Sequence, residues 1–66
     1  MVNIEVGKHY RFIYENGFKI AGELTDIKRL GTVIYSLWIE IGRQPVYIAY
    51  CDVKEIVEID SYEFEH

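Results

Sequence analysis

The sequence has little of the two residue types that most constrain small folds. Its 66 residues contain a single cysteine, Cys51, and a single proline, Pro45. One cysteine excludes an internal disulfide and a cysteine-rich metal site. The longest mostly apolar run, from Gly31 to Ile39, is far shorter than the roughly 20 residues of a membrane helix. Half of the residues are nevertheless hydrophobic. We therefore expect one small globular domain over residues 1–60, with an acidic, frayed tail over 61–66.

A basic excess is also missing. The net charge is −4, and the acidic residues concentrate after position 50. A nonspecific nucleic-acid binder normally carries a clear positive excess, because phosphate contacts dominate its affinity. The first residues, "MVNIEVG", lack the basic and apolar regions of a signal peptide, and a lone free cysteine suits a reducing compartment. We expect a cytoplasmic protein without a cofactor, of a size typical of viral or mobile-element products.

What the sequence has in abundance is the alternation of β-strands. "VNIEV" and "HYRFIYE" each alternate apolar with other residues, and Gly7 separates them. Asn16–Gly17 follows directly and precedes another alternating run, a pattern typical of a tight type I′ hairpin turn. The alternation predicts that Tyr10 and Phe12 face the core.

The second strand contains an unexpected glycine. Phe18, Ile20 and Leu24 share one face of "FKIAGEL", and Gly22 occupies the same face. A glycine there favours a sharp bend or the close approach of another segment. The next apolar residue after Leu24 is Ile27, three positions on, which predicts a bulge near Thr25–Asp26.

Two further strands and a short ending follow. In "VIYSLWIEI" the alternation places Val33, Tyr35 and Leu37 on the core side, together with Ile39 and Ile41; Phe18 and Tyr35 are accordingly expected in the core. "GRQP" predicts a turn, and Pro45 suits the start of a strand. "CDVK" predicts a 3₁₀ turn near 51–54, followed by a strand from about Glu55. A short helix over 52–60 is the alternative, since Val53, Ile56 and Val57 also fit helical spacing.

This order of signals resembles a known group of folds. "NGFKIAGEL" is similar to the second strand of Sm-like proteins, and "CDVKEI" resembles the 3₁₀ turn before the last strand of Sm-like and Src-homology-3-like barrels. The resemblance implies an all-β, five-stranded antiparallel barrel. The chain lacks the residues with which Sm-like proteins contact RNA and the aromatic signature with which Src-homology-3 domains bind peptides, so the resemblance implies a fold and no function.

Catalytic and metal-binding patterns are weak. Cys51 has no histidine near it in sequence, and we expect it to be at least partly buried at a strand end. His9 is expected to be exposed. The acidic pairs Glu23 with Asp26 and Glu55 with Glu58 suit a solvated surface better than acid–base catalysis. We therefore expect neither catalytic residues nor a metal site.

Aromatic residues provide the remaining functional signal. Trp38 and Tyr47 fall on the face opposite to the predicted core, and Ile34 and Ile13 have the same phase. If their strands are neighbours, these four residues form an exterior apolar patch of the kind that marks interfaces. The alternative is a slipped register that places Trp38 in the core. The patch predicts a noncatalytic module that binds another protein or a second copy of itself.

A nucleic-acid-binding barrel is the alternative function. Aromatic residues would then stack on the bases of single-stranded RNA or DNA, and basic residues would contact phosphates. The candidate phosphate contacts are Lys8, Arg11, Lys19, Lys28, Arg29 and Arg43.

Overall fold

The computed structural model describes residues 3–60, which form five strands and one 3₁₀ helix. The strands are β1 (His9–Tyr14), β2 (Lys19–Leu30), β3 (Val33–Ile41), β4 (Gln44–Ala49) and β5 (Val53–Ile59), and the 3₁₀ helix spans Tyr50–Asp52 between β4 and β5. The predicted all-β fold of five antiparallel strands with one 3₁₀ turn is confirmed. The alternative of a helix over 52–60 is wrong. The predicted acidic tail, 61–66, lies outside the described residues.

The strands form one sheet in the order β4-β3-β2-β1-β5, and every neighbouring pair is antiparallel. Strand β2 is the longest, and it pairs with β1 through residues 19–23 and with β3 through residues 23–30. Strands β4 and β5 are the edges, and no pairing joins them within residues 3–60. The sheet is therefore open, and its predicted closure into a barrel is not confirmed.

Gly22 lies where the two halves of β2 meet. A Cβ atom at this position would lie 2.7 Å from the carbonyl oxygen of Glu40 and 2.9 Å from Cγ1 of Ile41. These distances are too short for any side chain larger than hydrogen. The missing side chain thus lets the end of β3 approach the backbone of β2, which is the close approach that the sequence predicts.

The core lies on one face of the curved sheet. Its buried cluster contains Tyr10, Phe12, Leu24, Leu37, Ile39 and Ile48, with Ile4 from the N-terminal segment. The core positions predicted for Tyr10 and Phe12 are confirmed. Those predicted for Phe18, Val33 and Tyr35 are wrong, since all three side chains are more than half exposed.

The position of Tyr35 follows from a bulge in β3. Arg29 of β2 pairs with Ile34, whereas Lys28 pairs with Ser36, so Tyr35 is an extra residue without a partner on β2. The bulge shifts the alternation of β3, and Ile34 instead of Tyr35 packs against the core. The predicted bulge near Thr25–Asp26 is confirmed, because the register also shifts between Leu24 and Asp26.

The first hairpin has the predicted position and a different turn type. Gly17 N donates to the carbonyl oxygen of Tyr14 at 2.9 Å, and Phe18 N donates to Oδ1 of Asn16 at 2.9 Å. Gly17 has φ of 89°, but Asn16 does not share the positive φ that a type I′ turn requires. The connection is a three-residue loop that ends in a left-handed glycine. Phe18, directly after it, contacts only Tyr14 among the aromatic rings described, with centroids 5.9 Å apart.

The predicted strand at the N-terminus is absent from the described part, where residues 3–5 are irregular and residues 6–8 form a turn and bend. Gly7 N donates to the carbonyl oxygen of Leu24 at 2.9 Å, and Glu5 N donates to the hydroxyl of Tyr10 at 2.8 Å. These bonds hold the segment against the sheet and bury Ile4.

Two smaller predictions about exposure are also wrong. Cys51, expected to be at least partly buried, is exposed, and His9, expected to be exposed, is half-buried.

Candidate interaction surface

The hairpin between β3 and β4 determines which backbone groups remain free at one edge of the sheet. Gly42 and Arg43 have φ of 54° and 71°, so the turn is of type I′. In such a two-residue hairpin the flanking pair, here Ile41 and Gln44, exchanges both backbone hydrogen bonds. Hydrogen-bonded and non-hydrogen-bonded pairs alternate along an antiparallel ladder. The backbone N–H and C=O groups of Pro45, Tyr47 and Ala49, as far as each residue has them, therefore point away from β3. Pro45 fits this placement, because it has no N–H to donate.

Trp38 and Tyr47 form an aromatic pair on the face opposite to the core, which we call the outer face. They are direct partners in the β3–β4 register, and the hairpin geometry makes them a non-hydrogen-bonded pair, in which side chains approach closely. Their ring centroids are 5.4 Å apart, with an interplanar angle of 68°. Trp38 is half-buried and lies outside the core cluster, and half of Tyr47 is exposed.

The apolar surface continues toward the tip of the β2–β3 hairpin. Leu30 and Val33 pair directly across the tip, and they lie on the outer face because their neighbour Ile34 packs against the core. Tyr35 lies between this pair and Trp38 in sequence, and all three tip residues are more than half exposed. We refer to the five residues Leu30, Val33, Tyr35, Trp38 and Tyr47 as the outer strip.

The outer strip is bordered by one ion pair and by two further carboxylates. Asp26 is the partner of Trp38 on β2, and its Oδ2 lies 3.2 Å from Nζ of Lys28. The carboxylate also accepts a hydrogen bond from Ile27 N at 2.9 Å. Thr25 Oγ1 donates to the carbonyl oxygen of Trp38 at 3.1 Å and thereby ties the β2 bulge to the strand that carries the indole. Glu40, two residues from Trp38 on the same face, and its β2 partner Glu23 add two further carboxylates to this border.

The structure brings together two of the four residues predicted for the exterior patch. Trp38 and Tyr47 are in contact, as described above. Ile34 packs against the core instead of the outer face, because of the bulge at Tyr35. Ile13 is half-buried beside Lys19, at the start of β2, and beside Glu55 of β5, whereas Trp38 pairs with Asp26 farther along β2. The role predicted for these residues in binding stays a prediction.

Sequence reasoning missed the tip residues of the outer strip. The alternation from Val33 to Ile41 is uninterrupted, so nothing in it indicates a bulge at Tyr35. The signal that was available is the pair of residues flanking Gly31–Thr32: a turn there makes Leu30 and Val33 cross-strand partners, and both are large apolar residues at an exposed tip.

A cleft of about 560 Å³ lies near the same hairpin, on the side of the sheet where Ile34 packs against the core. Ile4 and Ile34 contribute apolar surface, and Arg29 supplies a cation for which the described residues provide no salt bridge. The remaining lining residues are Asn3, Gly31, Thr32 and Tyr50. The cleft thus combines an apolar surface with one positive charge and several hydrogen-bonding groups.

The basic residues predicted to contact phosphates do not form one stripe. Nζ of Lys8 lies 3.8 Å from Oε1 of Glu5 and 3.7 Å from Oε2 of Glu58, so two carboxylates already pair with this cation. Lys28 is paired with Asp26, as described above. Arg11 and Lys19 are partners of Ala21 and Ile13 in the β1–β2 register, whereas Arg43 lies in the β3–β4 turn. Only Arg29 of these six lines the cleft.

Tyr14 is a titratable group whose surroundings perturb its pKa. Burial, and secondarily the nearby carboxylate of Asp52, raise the pKa of Tyr14 above its ordinary value of 10.0. Both causes disfavour the phenolate, the first by desolvation and the second by charge repulsion. Glu15 N donates to the carbonyl oxygen of Asp52 at 3.1 Å, which holds the first hairpin loop against the 3₁₀ helix.

Residues 3–60 contain neither a metal-ligand cluster nor a membrane-spanning helix. No group of three or more His, Cys, Asp or Glu residues there could hold a metal ion. A helix long and apolar enough to cross a membrane is likewise not found in this part of the chain.

Comparison of the chain with protein-family models, with curated proteins and with solved structures finds no match in any of the three.

Proposed function

We propose that this chain is a noncatalytic interaction module that associates with a second copy of itself through the outer strip. The observation that carries the proposal is the Trp38–Tyr47 pair, which lies on the outer face directly beside the unpaired edge of β4. Aromatic residues supply much of the binding energy in protein interfaces. The chain is also small, and small domains often gain stability from a partner subunit.

Self-association is favoured over an unrelated partner by the lack of charge along β4. The chain as a whole is acidic, so two copies repel each other at long range. Strand β4, which carries Tyr47, is an exception, because it has no charged residue from Gln44 to Ala49. Two copies can therefore bring this edge together without placing like charges of β4 in contact.

The proposal is tested by truncating the aromatic pair. Trp38→Ala and Tyr47→Ala should each weaken dimerisation at least about tenfold, as expected for central interface aromatics. Phe18→Ala is the matched control, because Phe18 is an exposed aromatic residue away from the outer strip. Analytical ultracentrifugation measures the dissociation constants, and circular dichroism checks that each variant keeps its fold. A monomeric wild-type chain, or equal effects of all three variants, would contradict the proposal.

A nucleic-acid-binding function is the second candidate, and the cleft is the observation that favours it. Arg29 and Tyr50 line the same cleft, a combination that suits a phosphate and a stacked base. Fluorescence anisotropy with single-stranded RNA and DNA at low salt tests this candidate. Arg29→Ala should abolish binding, whereas Lys19→Ala should retain most of it, and binding should weaken steeply with added salt.

For the fold, we propose an incompletely closed relative of the Src-homology-3-like and Sm-like barrels. The strand order, the 3₁₀ helix between β4 and β5, and the close approach at Gly22 support this assignment. An experimental structure compared with both groups tests it, and a sheet that is flat at Gly22 would exclude it.

A further inference from the structure

We infer that two copies of the chain join through their β4 edges, in an antiparallel arrangement centred on Tyr47. The inference rests on the proposed self-association and specifies its geometry. The free backbone groups of β4 belong to Pro45, Tyr47 and Ala49. In the type I′ hairpin the residues that alternate with them, Gln44, Val46 and Ile48, form the backbone hydrogen bonds to β3. An edge with free donors and acceptors is a template for another strand.

A register centred on Tyr47 uses every available donor of β4. With Tyr47 on the two-fold axis, the Tyr47 residues of the two copies exchange both of their backbone hydrogen bonds. Ala49 N–H of each copy then donates to the carbonyl oxygen of Pro45 in the other. Pro45 has no N–H, so each such pair contains one bond instead of two. This register pairs the whole extended stretch 45–49 with itself and leaves the 3₁₀ helix outside the ladder.

The side chains in this register are complementary on the outer face and at both ends. The Tyr47 rings lie opposite each other, so the aromatic row runs from Trp38 through both Tyr47 residues to the second Trp38. The β3–β4 turn of each copy, which contains Arg43, lies at the same end of the shared ladder as the 3₁₀ helix of the other copy, which contains Asp52. Within residues 3–60 neither Arg43 nor Asp52 forms a salt bridge in its own chain, so the dimer supplies each with a partner of opposite charge.

The other edge of the sheet is unsuited to the same arrangement. Strand β5 carries Lys54, Glu55 and Glu58, all of them exposed. Charged side chains on an edge strand hinder its pairing with another chain, and a two-fold β5 contact would place glutamates of the two copies close together. Strand β4 has no charged residue between Gln44 and Ala49.

The first test removes one edge donor and leaves the aromatic pair intact. Ala49 has φ of −78°, which proline can adopt, and its N–H is directed away from β3, so Ala49→Pro should fold as the wild type does. The variant should lose dimerisation by at least tenfold in analytical ultracentrifugation. Ala49→Ser is the matched control, since it keeps the N–H and should dimerise like the wild type. Circular dichroism and thermal unfolding verify the fold of both.

The second test addresses the register. Arg43→Glu and Asp52→Arg should each weaken the dimer about tenfold through loss of two contacts and new repulsion, and the double variant should recover most of the affinity. A spin label on Cys51, the single and exposed cysteine, should report one defined distance between the two copies, with the labels at opposite ends of the shared ladder, and this distance should disappear in Ala49→Pro.

The outcomes separate this inference from the proposed function. A dimer that depends on Trp38 and Tyr47 but persists in Ala49→Pro, or lacks recovery in the charge-swapped variant, overturns the β4 pairing and leaves self-association intact. A wild-type chain that is monomeric at high micromolar concentration overturns both.

Discussion

At the scale of single residues, Gly22 has the strongest steric requirement. The space that a side chain at this position would fill is occupied by the carbonyl oxygen of Glu40 and the side chain of Ile41. The contact with Glu40 involves backbone, so it cannot be relieved by a rotamer change. This one position couples the bend of β2 to the end of β3.

Gly22→Ala should therefore lower the free energy of unfolding by about 3 kcal/mol, at the upper end of the range for overpacking. Gly17→Ala is the comparison, because its Cβ would meet nothing within 4 Å and only the φ of 89° opposes it. That variant should lose about 1 kcal/mol. Urea denaturation followed by tryptophan fluorescence measures both values. Equal losses would mean that the approach of β3 does not constrain position 22.

Tyr14 makes a prediction about pH at the same scale. Its pKa is raised in the folded state, so the folded chain retains the phenolic proton to higher pH than the unfolded chain does. The stabilisation is fully present below the unfolded value of about 10 and is lost as the pH rises through the folded value. Wild type should therefore lose more stability above pH 10 than Tyr14→Phe. Asp52→Asn should show an intermediate loss, and identical alkaline profiles for wild type and Tyr14→Phe would contradict the assignment.

At the scale of elements, the β3–β4 hairpin requires an unfavourable conformation of one residue. Arg43 has φ of 71° in the type I′ turn, a region that costs a non-glycine residue roughly 1–2 kcal/mol, with asparagine the better tolerated type. The hairpin nevertheless defines which groups of β4 face the free edge. A stable turn at this position is thus linked to the proposed interface.

Arg43→Asn should consequently raise the free energy of unfolding by about 0.5–1 kcal/mol. The measurement is best made in the Ala49→Pro background, where loss of the Arg43–Asp52 contact between copies cannot contribute. Arg43→Ala, which relieves no strain, is the control and should not stabilise the hairpin. Equal stability of Arg43→Asn and Arg43→Ala would show that the left-handed conformation is not a significant cost.

At the scale of the whole molecule, stability and association are linked. Only a thin core is buried on one face of an open sheet, and any partner that binds the folded state shifts unfolding by mass action. The Tm of the wild-type chain should accordingly rise with protein concentration. The Tm of Ala49→Pro should be independent of concentration over the same range. Scanning calorimetry at several concentrations compares the two, and a concentration-independent wild-type Tm would argue against a dimer.

Much of the architecture followed from local patterns in the chain. Alternation and turn residues predicted the five observed strands, together with an N-terminal strand that is absent, and also the loop at Asn16–Gly17, the bulge after Leu24 and the unusual role of Gly22, because each depends on neighbouring residues or on the geometry of a single strand. The same patterns correctly placed Trp38 and Tyr47 away from the core. These features were determined by the sequence itself.

Other features depended on contacts between distant segments. The bulge at Tyr35 shifted Ile34 into the core and turned Tyr35, with Leu30 and Val33, into part of the outer strip. Ile13 and Trp38 were separated because β2 pairs with different strands along its length. The open edge of β4 likewise followed from the order of strands in the sheet. The register shift at Tyr35 and the strand order arise from packing between distant segments, and the uninterrupted alternation of β3 gives no local signal of that shift. Only the tertiary structure therefore decided which apolar residues form a surface.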